Sequence, residues 1–75
     1  MTKALVLMTL ETDSGREPID AIRKLEGVLE SETLYGPYDA YALIKAEDSE
    51  SLREIIIQKI REIEGVQSTL TCFVT

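Results

Sequence analysis

The chain has no histidine and no tryptophan, and Cys72 is its single cysteine among 75 residues. Each absence removes a class of function. Without histidine, no side chain has an ordinary pKa near neutrality, so the commonest general base and proton shuttle is missing. A zinc site of the usual cysteine–histidine kind cannot be assembled, and one cysteine cannot close an internal disulfide. A lone thiol fits a reducing compartment. Positive charge is also scarce: 8 Lys and Arg stand against 14 Asp and Glu, for a net charge of −6. Binding to a phosphate backbone draws on clustered cations that release counterions, so direct contact with nucleic acid is not expected. The apolar run Ala4–Met8 falls far short of the roughly 20 residues needed to span a bilayer. The start Met-Thr-Lys-Ala-Leu-Val-Leu-Met is followed by no small-residue cleavage signal. A cytoplasmic protein with no membrane partner is the expectation.

A chain of this length holds one domain, and so small a domain buries only about 60% of its unfolded surface. With no disulfide or metal to add support, self-association is the expected source of it.

Lys3 to Leu10 is almost continuously apolar, as in a central strand, and Glu11 to Arg16 has the composition of a loop. Glu17-Pro18 opens a helix of roughly ten residues with Ile19, Ala21, Ile22 and Leu25 on one side, ended by Gly27. Val28–Tyr35 and Tyr38–Ala46 alternate in the period of two that marks half-buried strands, and Gly36-Pro37 between them predicts a tight hairpin tip. Ser49 is a candidate N-cap for a second helix, whose apolar face is Leu52, Ile55, Ile56, Ile60 and Ile63. Ile57 falls off that face, as a marginal core residue or as an exposed anchor for another subunit. Gly65 ends this helix. The last strand, Val66–Val74, places Val66, Ser68, Leu70, Cys72 and Val74 on one face and Gln67, Thr69, Thr71 and Phe73 on the other. The order β-α-β-β-α-β predicts an α+β, ferredoxin-like domain, a four-stranded antiparallel sheet with two helices on one face. The sheet's second face is left uncovered and partly apolar, which predicts at least a dimer formed through the sheet.

No constellation for catalysis emerges. Cys72 lies in a strand pattern with no base to activate it and reads as a small buried hydrophobe. Glu47 and Asp48 read as residues at a helix start, and Ser14-Gly15-Arg16 lacks the further glycines and Lys-Ser/Thr pair of a phosphate loop. One group offers a binding chemistry. Tyr38 and Asp39 beside the backbone amides of Gly36, with Thr69 and Thr71 on the last strand, supply a carboxylate for an ammonium and donors for a carboxylate. Against this stands the plain reading of a turn aspartate, a packing tyrosine and strand-forming threonines, which spacing alone favours.

The element order, the helix exits Leu25-Glu26-Gly27-Val28 and Ile63-Glu64-Gly65-Val66, and above all Gly36-Pro37-Tyr38-Asp39-Ala40-Tyr41-Ala42-Leu43 resemble the effector-binding (RAM) domain of the Lrp/AsnC regulators. That family carries a Gly-x-Tyr/Trp-Asp hairpin and a later Gly-Val leading into a threonine-bearing strand. The resemblance covers essentially the whole chain. It implies dimers paired through their sheets, assembled further into a ring, commonly an octamer, with a free amino acid bound where dimers meet. Carried over, Gly36, Tyr38, Asp39, Thr69 and Thr71 would be ligand-binding, with Pro37 at the variable position; no cofactor and no catalytic residue is implied. Family regulators precede this domain with a helix-turn-helix unit, and here the first strand starts near Met1. The expectation is therefore a stand-alone sensing domain that modulates amino-acid metabolism or transcription indirectly, in some cases through a full-length Lrp/AsnC regulator. A small enzyme of the dimeric α+β barrel kind is the alternative, disfavoured by the plain Ile and Leu of the helix faces.

Overall fold

Strand β1 (Thr2–Leu10) is hydrogen-bonded on both edges in the computed structural model, which describes residues 1–75. After it come α1 (Glu17–Arg23), β2 (Val28–Thr33), β3 (Ala40–Ala46), α2 (Ser49–Glu54) running on into a π-helical segment Ile55–Ile60, and β4 (Val66–Val74). The sheet order is β2-β3-β1-β4 with every neighbouring pair antiparallel. This is the ferredoxin-like arrangement that the element order predicts. No helix is long and apolar enough to cross a membrane.

Period-two alternation gives the sheet two unlike faces. On the helix side Ala4, Val6 and Met8 of β1 and Ala40, Ala42 and Ile44 of β3 are fully buried. Ile19 and Ile22 from α1, and Leu52, Ile56 and Ile60 from the second helical stretch, close over them. The repeat of four from Leu52 to Ile60 would drift round an ideal helix of 3.6 residues per turn. The wider π turn, in which Arg61 N–H donates to Ile56 C=O, keeps these three residues in line on the core. It also leaves Ile57 outward and 47% exposed, so Ile57 is not a core residue of the subunit.

Several local expectations are revised. Helix α1 ends at Arg23, shorter than the apolar stripe suggests. Lys24 and Leu25 N–H donate to Ala21 and Ile22 C=O, tightening the last turn before Gly27 at φ +96°. The N-cap of α2 is Asp48, not Ser49: its backbone is extended and its carboxylate accepts from Ser51 N–H at 2.8 Å. The hairpin has no tight tip. β2 stops at Thr33 and β3 starts at Ala40, so Leu34 to Asp39 form a loop, closed by Leu34 N–H donating to Asp39 C=O at 2.7 Å. Gly36 does not use the left-handed region there; Gly15, Gly27 and Gly65 do. At the other edge a register slip between Thr9 and Leu10 turns Val66 to the core side, away from Ser68, Leu70, Cys72 and Val74. Cys72 is exposed, because it points to the face without helices.

That second face is built in rows. Leu43, Leu5 and Cys72 stand side by side across β3, β1 and β4, and Tyr41, Leu7 and Leu70 form the adjacent row. Glu30 and Glu32 of β2 extend these rows to one side. Glu32 is held by Arg23 at 2.7 Å and Arg16 at 3.3 Å, and it also accepts from Thr33 N–H. That amide donation, followed by the arginines, holds its carboxyl below the ordinary carboxylate range. The Ser51 amide does the same for Asp48. A native pKa lowered in this way contributes stability that is complete above the unfolded value of about 4 and fades as pH falls through the lowered native one. Melting midpoints followed from pH 7 to pH 3 should therefore drop less steeply for Asp48→Asn than for the wild type. Identical slopes would mean that the cap carboxylate is not coupled to folding.

Candidate functional site

The hairpin loop is fastened to the end of β1 by Asp39. Pairing between β1 and β3 runs as far as Met8 opposite Ala40. One residue further, Asp39 N–H donates to Met8 C=O at 2.8 Å, and its Oδ2 accepts from Leu10 N–H at 2.8 Å. The carboxylate thus extends the ladder by satisfying a strand-end amide that would otherwise lose its partner on this side. Its second oxygen has no partner within the subunit. A cavity of about 390 Å³ opens at this point, lined by Asp39 together with Leu10, Glu11, Thr12 and Thr33. Tyr38, next to Asp39, is half-buried, whereas Tyr35 nearer the tip is fully exposed. In β3, Tyr41 O–H donates to Glu30 at 3.3 Å; partial burial, reinforced by that carboxylate, raises its phenol above the usual value.

Thr69 and Thr71 lie elsewhere. They pair with Met8 and Val6, so their side chains stand on the helix side of β4, both half-buried. With Phe73 they form the strand wall of a groove of about 290 Å³, whose helix wall is Arg53, Ile56, Ile57 and Arg61. β1 separates this strand from β3, so Asp39 and Thr69 are two strand spacings apart, about 10 Å. Within one subunit the five residues singled out in the sequence therefore form two groups, Gly36, Tyr38 and Asp39 at the hairpin and Thr69 and Thr71 over the groove. The two arginines escaped the sequence reading, although Arg53, Ile57 and Arg61 recur at intervals of four. That spacing is the signal that could have placed them on one helical face. No cluster of three or more carboxylate or thiol groups is arranged to hold a metal ion.

Residues 3–75 match the profile of the Lrp/AsnC ligand binding domain. An uncharacterised HTH-type transcriptional regulator of Pyrococcus furiosus is 38% identical over 73 residues, which is 93% of this chain and 49% of the relative. The chain spans about half the length of such curated regulators. Among solved structures, a protein from Thermus thermophilus superposes with a TM-score of 0.93 at 33% identity, covering 100% of this chain and 94% of that one. A Neisseria meningitidis transcriptional regulator, solved as an L-Met complex, shares the fold with a TM-score of 0.88 at 20% identity, over 99% of this chain and 49% of that one. In sequence and in fold, this chain belongs to the Lrp/AsnC ligand-binding domain family.

Proposed function

We propose that the domain is a non-enzymatic amino-acid sensor working as a homo-oligomer, with Gly36, Tyr38, Asp39, Thr69 and Thr71 forming its ligand site across subunits. The observation that carries this reading is the anchoring of Asp39. A carboxylate fixed by the Leu10 amide keeps one oxygen free, and the preceding residue, Tyr38, is half-buried. A preordered anion of that kind suits an ammonium group. Thr69 and Thr71 lie about 10 Å away in the same subunit, so a second subunit is needed to bring these two threonines to the hairpin. Dimers joined through the open sheet face and assembled into a ring, up to an octamer, would do this. The meningococcal neighbour, solved as an L-Met complex, supports the reading. The signal would reach metabolism or transcription indirectly, by co-assembly with a regulator that carries its own DNA-binding unit.

Thermal unfolding against a panel of the standard amino acids tests the proposal. A ligand present at 100 times its Kd stabilises the native state by about 2.7 kcal/mol per site, which moves the midpoint by roughly 10 °C or more in a domain of this size. Asp39→Asn keeps an oxygen for the Leu10 amide and removes the charge. It should abolish the shift while leaving the oligomer in place. An undiminished shift in Asp39→Asn would remove Asp39 from the site, and a flat panel would overturn the amino-acid reading.

A further inference from the structure

From the charges on the open sheet face we infer how two copies of this chain meet there: about a two-fold axis running diagonally across the strands, so that Lys45 of each copy faces Glu30 of the other. The pairing rests on the sheet-to-sheet dimer of the proposed function, whose contact it specifies, and not on the ligand. One subunit alone leaves these charges badly placed. Lys3 and Lys45 stand directly opposite each other on β1 and β3, in the row next to Leu5 and Leu43. Like charges in such a cross-strand pair repel. No acid of the same subunit relieves them, because both ion pairs end on Glu32. Glu30, exposed on the outer strand β2, has only the Tyr41 phenol as a hydrogen-bond partner. The spacing of the sheet then selects the axis. Neighbouring strands lie about 4.8 Å apart, and successive residues on one face about 6.8 Å apart along a strand. An axis along the strands, through the middle of the face, lays β2 over the partner's β4 and sets Glu30 and Glu32 against Cys72 and Leu70. An axis across the strands sets the glutamates of β2 against those of the partner's β2. Of the two diagonals, one lays Lys45 over the partner's Leu70. The other lays Lys45 over Glu30 and brings Lys3 to within about 3 Å, in projection, of Glu32. On that same diagonal Leu43, Leu5 and Leu70 run along the axis against their own copies, and Leu7 falls on the partner's Cys72. Apolar residues therefore meet apolar ones and each cation meets an acid. The strands of the two copies cross at about 70°, close to the orthogonal class of sheet packing. Charges at the rim of an apolar contact fix its register and reject partners that lack the matching charges.

Charge exchange in the whole chain tests the axis by sedimentation, with Leu70→Glu as the reference for loss of the sheet contact. Glu30→Lys and Lys45→Glu should each keep the wild-type circular dichroism spectrum. Each should raise the dimer's dissociation constant about tenfold or more, because each sets two like-charged pairs across the axis. The double variant Glu30→Lys/Lys45→Glu should return to within about threefold of the wild type. An equimolar mixture of the two single variants should form a heterodimer about tenfold or more tighter than either homodimer, which a repair inside one subunit could not produce. Unchanged dissociation in either single variant, no recovery in the double variant, or no heterodimer in the mixture would overturn the axis. If that happens while Leu70→Glu gives monomers, the sheet-to-sheet dimer stands and only this pairing falls. A monomeric wild type, or a dimer indifferent to Leu70→Glu, removes both. No amino acid enters these measurements, so the sensing site holds or fails separately.

Discussion

Gly65→Ala is expected to destabilise the domain by roughly 2–5 kcal/mol. Gly65 sits at φ +100°, where an L side chain is strained, and it is buried. A Cβ built there would meet Pro18 Cγ at 2.6 Å and Ser14 Cβ at 3.0 Å. Neither neighbour yields easily. Pro18 is a rigid ring in the buried first turn of α1, and Ser14 is tied by its own hydroxyl and amide to Glu11 C=O. The Gly65 carbonyl, in turn, accepts Glu11 N–H at 2.8 Å, so this one residue joins the end of the second helical stretch to the loop leaving β1. Backbone strain contributes about 1–2 kcal/mol and overpacking about 1–3 kcal/mol. A domain of this size has roughly 4–11 kcal/mol in all, so the loss is a large share of its stability. Gly15→Ala separates the two contributions. Gly15 is also left-handed, at φ +62°, but a Cβ there meets nothing within 4 Å. Urea unfolding should place Gly15→Ala at about 1–2 kcal/mol and Gly65→Ala well beyond it. Equal losses would refute the packing part of the argument.

The roles of Gly27 and Gly65 as helix stops were legible in the sequence because a stop is a local property, a glycine following a periodic apolar stripe. The element order and part of the core were legible for the same reason: Ala40, Ala42 and Ile44 repeat at two and Leu52, Ile56 and Ile60 at four, whereas in the continuously apolar β1 nothing local separates the buried Ala4, Val6 and Met8 from Leu5 and Leu7. What escaped depended on contacts between distant residues. Gly36-Pro37 looks like a tight turn, yet the loop is widened because Asp39, some thirty positions from Leu10 in the chain, extends the β1 ladder instead of sitting beside the tip. Asp48 and Ser49 are both good caps, and only the extended backbone of Asp48 decides between them. The slip that turns Val66 inward is set by the pairing of β4 with β1. The facing of Thr69 and Thr71 away from Leu70 and Cys72 was read correctly from alternation. That two arginines lie across from those threonines is a helix-to-strand contact with no sequence marker of its own.

Leu70→Glu should convert the expected oligomer to monomers while leaving the fold of each subunit in place. Leu70 is 47% exposed in the free subunit, so a glutamate there keeps its carboxylate in water at little cost to folding. In the proposed sheet-to-sheet dimer the situation reverses. The rows Tyr41–Leu7–Leu70 and Leu43–Leu5–Cys72 make an apolar strip, and the cations of this face, Lys3 and Lys45, stand two rows from Leu70. Two-fold symmetry would bury the glutamate twice. An unpaired buried charge costs several kcal/mol, and about 4 kcal/mol is a thousandfold in the dimer's dissociation constant. Sedimentation at micromolar concentration should then show a monomer, with an unchanged far-ultraviolet circular dichroism spectrum. A dimer that survives the substitution would locate the contact elsewhere. The same variant bears on the ligand site, because Leu70 lines neither the cavity at Asp39 nor the groove over Thr69 and Thr71. If Asp39 of one subunit needs the threonines of another, the monomeric variant should lose the amino-acid-induced thermal shift although none of its ligand residues has changed. A monomer that kept the shift would place the whole amino-acid site within one chain.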